Sequence, residues 1–450
     1  AGLRVAEELS RAAAPVVLFN AERWHPYNRI KLTPFLTGEV QIGQVYQPQN
    51  AATDAFISRY DGLRIREIDR ENRVAVDDYG RAWPFSHLVI ATGSRPHVPN
   101  IPGCTLDGVY TFRNFDDVER LVARSYRSTR TVVIGGGLLG LEAARGMSSK
   151  GVETWVLEHE SRLLPRQLDQ AAGDLVAAGM ERLGIVARTL TRVQAVEGDG
   201  RIERVVLSSG EVIPCDTVIV CAGVRANLEI ARNAGLAVGR GITVDAHMRT
   251  DDPDIYAVGE CAEFDGHCYG LVGAGLEQAQ VCVDHILGRK GADYAGSLPA
   301  TRLKVVGIDV FSMGEVEQVD GDTRLNSVSW SDPAAGLYRR VIVRRGRVIG
   351  AIAIGKWAEI NQLQQMIKVQ ARVTPWQLRR LRATGLMLKD AAPQPVRDWA
   401  DAATVCNCTG VTRGMLGQAM AAGCTTLGDL QRATCASTVC GTCQPLLQDL

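Results

Sequence analysis

Four cysteines near the end of the chain fall in a regular pattern, Cys406-x-Cys408, thirty-one intervening residues, then Cys440-x-x-Cys443. Four thiolates brought together can hold a [2Fe–2S] cluster, two on each iron with sulfide between them. The same quartet could hold zinc, but zinc sites space their cysteines by two to four residues, so the C-x-C pair favours iron. Cys435 has the wrong spacing for the quartet and Cys424 lies in the helical connection. Both read as small apolar residues, with a ligand exchange involving Cys435 left open. Cys215 and Cys221, at the start and near the end of an apolar strand, read as core residues.

A second chemistry is written in TVVIGGGLLGLEAARGM, where a strand runs into Gly135-x-Gly137-x-x-Gly140 and then a helix. In that context Gly135 allows the tight turn, Gly137 lets backbone approach a pyrophosphate, and Gly140 permits close helix–strand packing. The helix N-terminus offers unpaired N–H groups and a positive dipole end to the phosphates. The next strand, TWVLE, ends in Glu158, placed to accept hydrogen bonds from ribose hydroxyls. A carboxylate there repels a 2′-phosphate, so NADH is favoured over NADPH, with Arg162 nearby as the counter-argument. A glycine-rich turn that binds nothing is the bland alternative.

A damaged copy of the same pattern opens the chain. Gly2 reads as the last glycine of a GxGxxG, and VVLFNAE places Glu22 twenty residues on, against eighteen from Gly140 to Glu158. The expectation is that a first strand and two glycines have been removed. One pattern for each of two nucleotides implies a flavin beside a nicotinamide. Such a pair converts the hydride of NADH into single electrons that an iron–sulfur cluster can carry.

These residues need elements to position them. Apolar runs alternate with helical patterns through the first 290 residues, the signature of parallel α/β layers. The runs are VVLFN, HLVIATG, TVVIGGG, TWVLE, DTVIVCAG and DIYAVGE. Segment 296–355 reads instead as antiparallel, with a hairpin turning at Arg345-Gly346. A helix is expected over 356–368, with Trp357, Ile360, Leu363 and Ile367 on one stripe. The Pro- and Ala-rich stretch 389–403 reads as a linker. Beyond it, MLGQAMAAG and TLGDLQRAT read as short helices of a module small enough to need a metal staple.

Composition sets the class. The 450 residues hold fifty basic and fifty acidic side chains, which gives no reason to expect nucleic acid or an anionic membrane as partner. No apolar run approaches the roughly 20 residues of a membrane span. Twelve cysteines are too sparse for a disulfide scaffold, and six of them crowd the last 45 residues, which points to metal in a reducing, cytoplasmic compartment. The chain opens at Ala1 rather than Met, so a leader ahead of it stays open.

Further segments carry a resemblance. ATGSRPHVPNIPG (91–103) and TDDPDIYAVGECAE (250–263) resemble the FAD-binding signatures of two-dinucleotide flavoprotein reductases. The resemblance implies a cofactor-binding role for Thr92, Gly93 and Gly223, the last closing DTVIVCAG. It also implies that Glu260, where Asp is commoner, hydrogen-bonds the FAD ribityl chain. WHPYNRIKL (24–32) is similar to the flavin-side segment of NADH-dependent nitrite reductase large subunits and rubredoxin reductases. By that likeness Arg29 and Lys31 lie near the isoalloxazine, against the alternative of a solvated basic face. GLVGAGLEQAQ (270–280) would start a helix aimed at the flavin. The cysteine module resembles the bacterioferritin-associated ferredoxin-like [2Fe–2S] domain.

The fold these likenesses imply is a Rossmann-like two-dinucleotide flavoprotein reductase with an α+β interface domain and a small helical [2Fe–2S] domain. The expected division is FAD binding by 1–112 and 237–295, NAD binding by 113–236, interface domain 296–388, linker 389–403 and cluster domain 404–450. No cysteine precedes Cys104, so the C-x4-C pair of disulfide reductases is missing from the FAD region. The implied path runs from NADH to FAD to [2Fe–2S] to a nitrite or nitrate reductase centre on a partner module or subunit. The sirohaem spacings C-x5-C and C-x3-C are not met: no C-x3-C occurs, and the single C-x5-C is Cys215/Cys221. A chain truncated at both ends and an electron-supplying subunit both satisfy this. The rivals are a subunit of an amine or opine oxidase and an iron-handling or redox-sensing flavoprotein. A homodimer is left open.

Overall fold

The computed structural model describes residues 1–46, 54–305 (backbone alone at 302–305), 307–316, 325–389, 395–401, 403–406, 409–438, 441 and 443–450. Cys408 and Cys440 therefore lie outside the described residues, as does part of the expected linker.

The helix Gly2–Arg11 turns Val5, Ala6, Leu9 and Ser10 inward, the spacing of a single buried stripe. The strand Val16–Asn20 follows and pairs in parallel with Ile57–Asp61. Leu88–Ile90 pairs in parallel with Ile255–Ala257, so the chain leaves this unit and returns to it far along the sequence. The helix Val272–Ile286 closes the same core, where Val5, Leu9, Ile90, Tyr256, Ala279 and Val283 meet.

The intervening chain builds a five-stranded parallel sheet in the order Ile185–Arg188, Glu153–Leu157, Arg130–Ile134, Thr217–Val220, Val109–Thr111. Its central strands RTVVI and TVIV are buried almost throughout, as strands covered on both faces must be. The helix Phe115–Ser125 starts at a capping box formed by Asn114 and Asp117.

A second five-stranded sheet, antiparallel, spans Ala300–Ile354. Its last hairpin turns at Arg345 and Gly346, both left-handed (φ 50° and 73°), which matches the strands' own twist. Asp169 fastens this sheet to the parallel one by accepting from Tyr338 Oη (2.5 Å) and Arg340 Nη1 (2.6 Å). The helix expected over 356–368 starts later, at Ile360. Trp357 stays in the preceding turn because its indole is buried there, donating to Glu359 Oε2 at 2.9 Å, while Glu359 also accepts the Met387 N–H.

The terminal module is a short hairpin, Thr404–Cys406 with Val411–Thr412, followed by helices Arg413–Ala421, Leu427–Thr434 and Gln444–Gln448. Its core is small: Val405, Cys406, Val411, Leu416, Leu430, Ala436, Cys443 and Leu447. Val396 joins that core and its N–H donates to Asp449 Oδ2 at 3.0 Å. The described second half of the expected linker is thus packed against the module rather than spanning open solvent, because Val396 and Trp399 have apolar surface to bury.

Candidate functional site

The glycine turn after Arg130–Ile134 is shaped residue by residue. Gly135 has φ 113°, and a Cβ there would lie 2.4 Å from the Cys221 carbonyl oxygen. Gly140, in the helix Leu138–Ser148, packs so tightly that a Cβ would sit 1.9 Å from the Gly135 oxygen. Gly137 caps that helix and has no heavy atom within 4 Å of a built Cβ, so its backbone face is open. The three positions have the tight turn, the close packing and the approachable backbone that a pyrophosphate loop requires. Glu158 is buried; its Oε2 accepts the Gly136 N–H at 2.6 Å and its Oε1 the Glu160 N–H at 2.9 Å. The carboxylate therefore stands at the loop itself. Arg162 turns away, its guanidinium donating to the Leu168 (2.7 Å) and Pro165 (3.1 Å) carbonyls. Burial pushes the Cys215 thiol up to about 12, and that of Cys221 up as well, which leaves both as inert core groups.

On the other unit, Gly2 starts the first helix with its Cα side against Ala91: a Cβ would come within 2.8 Å of Ala91 Cβ. A Cβ on Gly275 would meet Gly259 Cα at 3.4 Å, an ordinary contact, so the helix Val272–Ile286 passes close beside the 259 turn. Glu22, just past the first strand, accepts from Tyr27 Oη (2.6 Å) and Arg29 Nη2 (2.5 Å). Arg29 also donates to the Arg113 carbonyl at 3.1 Å. The Arg113 guanidinium pairs with Glu260, whose Oε2 accepts from Ser94 Oγ at 2.8 Å as well. Glu22, Arg29, Arg113, Ser94 and Glu260 thus form one polar cluster drawn from five separate stretches of chain. Lys31 stands outside it, its Nζ donating to the Gln44 carbonyl at 2.7 Å. Arg113 Nε is buried without a partner among the described residues.

Thr92 and Gly93 lead from Leu88–Ile90 into the strand Ser94–Pro96, and Gly223 leads from Thr217–Val220 into Val224–Ala226. The two short strands pair with each other and bridge the units. Thr92 Oγ1 donates to the Asn227 carbonyl at 3.1 Å, and Asn227 Nδ2 to the Thr92 carbonyl at 2.9 Å. Arg113, Ser94 and Asn227 were not signalled by any motif; the SRP that follows ATG is the nearest thing to a sign for Ser94.

In the terminal module Cys406 and Cys443 are both buried and face each other. A hydrogen bond from Cys443, aided by the Ser437 and Thr409 backbone N–H groups, holds the Cys406 thiol down to about 5 against the effect of burial. The lowering favours the thiolate, the form that ligates metal. Ser437 Oγ is buried without a partner among the described residues, leaving a donor beside that thiolate. Donors and thiolate chemistry fit an iron–sulfur cluster. Arg4 Nη1 lies 3.3 Å from Cys435 Sγ, so Cys435 faces the first helix.

Comparison with known proteins agrees with this geometry. Residues 1–285 match the pyridine nucleotide-disulphide oxidoreductase family, 299–371 the rubredoxin NAD+ reductase C-terminal domain, and 404–450 the BFD-like [2Fe-2S] binding domain. The chain is 33% identical, over its whole length, to 56% of a nitrite reductase [NAD(P)H] of Bacillus subtilis. It is 32% identical, again over its whole length, to 58% of an assimilatory nitrate reductase electron transfer subunit of the same organism. It therefore spans a little over half the length of these relatives. A ferredoxin reductase from Rhodopseudomonas palustris superposes with TM-score 0.76 at 28% identity, covering 84% of this chain and 94% of that one. With the glycine turn, the bridged nucleotide units and the facing cysteines accounted for, the chain belongs to the pyridine nucleotide-disulphide oxidoreductase family, as an FAD- and NAD-binding oxidoreductase that carries a [2Fe–2S] domain.

Proposed function

We propose that this chain oxidises NADH and supplies the electrons, through its own [2Fe–2S] module, to a nitrite- or nitrate-reducing centre on a partner module or subunit. The observation that carries the reading is the presence, in one chain, of a glycine turn shaped for a pyrophosphate and a buried pair of facing cysteines packed against the same reductase body. When bound, FAD supplies a centre that takes two electrons at once and gives them up singly. The relatives named for nitrite and nitrate reduction give the acceptor class.

In this reading Gly135, Gly137 and Gly140 shape the NADH pyrophosphate turn, and Glu158 accepts from its ribose. Gly2, Glu22, Thr92, Gly93 and Glu260 line the FAD side, and Gly223 the seam between the nucleotides. Arg29 and Lys31 are the cations on the isoalloxazine side, Arg29 within the polar cluster and Lys31 beside it. Cys406, Cys408, Cys440 and Cys443 hold the cluster. The functional divisions are 1–112 with 237–295 for FAD, 113–236 for NAD, 296–388 for the interface domain and 404–450 for the cluster. Among the described residues no helix is long and apolar enough to cross a membrane, and no disulfide joins the described cysteines. A cytoplasmic setting suits such thiols.

The test is anaerobic NADH consumption by FAD- and cluster-loaded protein, with ferricyanide and then nitrite as sole acceptor. We expect dye reduction without ammonium. Reducing nitrite to ammonia takes six electrons at a centre with an open coordination position, and four thiolates saturate a [2Fe–2S] centre. Ammonium in the nitrite sample would move the catalytic centre into this chain; failure of NADH to bleach the flavin would favour an amine-oxidising relative.

A further inference from the structure

Two side chains of the reductase body reach into the terminal module, and each lands two residues ahead of a ligand cysteine. Asn28 Nδ2 donates to the Thr438 carbonyl at 3.0 Å, and Thr438 stands two residues before Cys440. Lys368 Nζ donates to Thr404 Oγ1 at 3.0 Å, and Thr404 stands two residues before Cys406. Asn28 is 8% exposed and held in place: its Oδ1 accepts the Ile30 N–H at 3.0 Å and its own N–H donates to Val45 O at 2.9 Å. The turn it grips is itself shaped, with Cys435 and Ser437 both left-handed (φ 58° and 61°), a conformation that non-glycine residues seldom adopt. Arg4 adds a third contact at Cys435.

The contacts continue inward. Thr438 follows Ser437, whose backbone N–H reaches the Cys406 sulfur. On the other side, Asn28 precedes Arg29, which binds Glu22 and the Arg113 carbonyl in the polar cluster of the FAD unit. A short run of bonds therefore connects that cluster to a ligand sulfur. A module swinging on a flexible tether would need no such fittings, and nothing in its own fold calls for an asparagine 410 positions away.

We infer that Asn28 and Lys368 clamp the [2Fe–2S] module onto the reductase body by its two cysteine-bearing segments, so that the cluster is presented to the Arg29 side of the FAD unit in one fixed orientation. The inference rests on the reading of Cys406 and Cys440 as cluster ligands, and it adds that transfer within the chain occurs from a docked state rather than by free encounter.

The experiment uses the full, cofactor-loaded chain as wild type, Asn28→Ala, Lys368→Met and the double variant. Hydrogen–deuterium exchange followed by mass spectrometry reads the contact directly. We expect peptides covering 435–438 to exchange at least tenfold faster in Asn28→Ala, those covering 404–406 faster in Lys368→Met, and both in the double variant. Rapid mixing with NADH should show flavin bleaching at the wild-type rate and cluster bleaching delayed at least tenfold in the double variant. Lys368→Met removes a contact to the other segment, at Thr404, so it reports on the clamp even where Asn28→Ala disturbs its own segment. Wild-type exchange at both segments, or undelayed cluster bleaching, in the double variant overturns the clamp. A wild-type chain without a [2Fe–2S] EPR signal overturns the functional reading instead, while the exchange data still decide whether the module is docked.

Discussion

Replacing Glu158 separates the job that the structure shows for its carboxylate from the one proposed for it. Its Oε2 accepts the Gly136 N–H at 2.6 Å, which fastens the glycine loop, and the same group is the expected acceptor for the NADH ribose. In Glu158→Ala the buried Gly136 N–H loses its partner, at a cost of about 1–3 kcal/mol. A charge-assisted bond to the ribose is worth a further 1.5–3 kcal/mol or so. Since 1.4 kcal/mol is about a factor of ten, NADH affinity should fall roughly 10- to 100-fold from the ribose contact, with more if the loop also slackens. NADPH should lose far less, because the repulsion of its 2′-phosphate disappears with the charge. It should not overtake NADH, since Arg162 is committed to the Leu168 and Pro165 carbonyls. Glu158→Gln keeps an oxygen for the Gly136 N–H and removes the charge but turns its NH2 on the Glu160 N–H, so it should melt between wild type and Glu158→Ala while binding NADH weakly. The assay is flavin bleaching rate against concentration of each nucleotide, with thermal melts of all three proteins. NADH affinity within twofold of wild type in both variants would leave Glu158 a loop fastener alone, and a wild type that prefers NADPH would refute the ribose argument outright.

Three further outcomes are expected. Cys406→Ser or Cys443→Ser should abolish the [2Fe–2S] EPR signal yet leave flavin bleaching by NADH intact; an undiminished signal would remove them from the ligand set. Glu142, on the nucleotide helix with Thr33 Oγ1 donating to it at 2.8 Å, has its carboxyl pushed up by burial to about 7. A raised carboxyl costs nothing below its unfolded value near 4.5, destabilises progressively as pH rises from there to about 7, and holds that full cost above it, so Glu142→Gln should stabilise at pH 8 and not at pH 4. The full shift would be roughly 3 kcal/mol; for a partly solvated group about 1–2 kcal/mol is the reasonable size, and equal melting shifts at both pH values would refute it. Gly137→Ala should fold normally, as no atom crowds its Cβ, but weaken NADH binding; unchanged affinity would mean that no phosphate approaches there.

What could be read from the sequence was what steric constraint had written locally. Gly135 and Gly140 are glycines because a Cβ would strike the Cys221 and Gly135 oxygens, so the motif is a direct imprint of the contact. Cys406 and Cys443 stood out by spacing, and the fold brings the two side chains together. The Glu260–Arg113–Ser94 group was not, because residues 94, 113 and 260 meet only through the crossing of two interleaved units. Composition made 389–403 a linker, yet the burial of Val396 is decided by a module that folds after it. Periodicity likewise placed Trp357 on a helix stripe, whereas its indole is satisfied by Glu359 in the turn before.

The seam between the two nucleotide units shows why both needed a glycine at matching places. Gly93 (φ 64°) and Gly223 (φ 102°) each follow a parallel strand and each precede one of the short strands that pair across the units. Neither has an atom within 4 Å of a built Cβ, so crowding by the protein does not explain them. Positive φ does: an L-residue there costs roughly 1–2 kcal/mol of backbone strain. That conformation turns the chain sharply at the strand's C-terminal end, where ligands of parallel sheets sit, while leaving a bare backbone face toward them. Joined by the ladder and by the Thr92–Asn227 exchange, the two turns hold the flavin and nicotinamide ends of the molecule in one frame. Hydride transfer depends on just that registration, with no general base required.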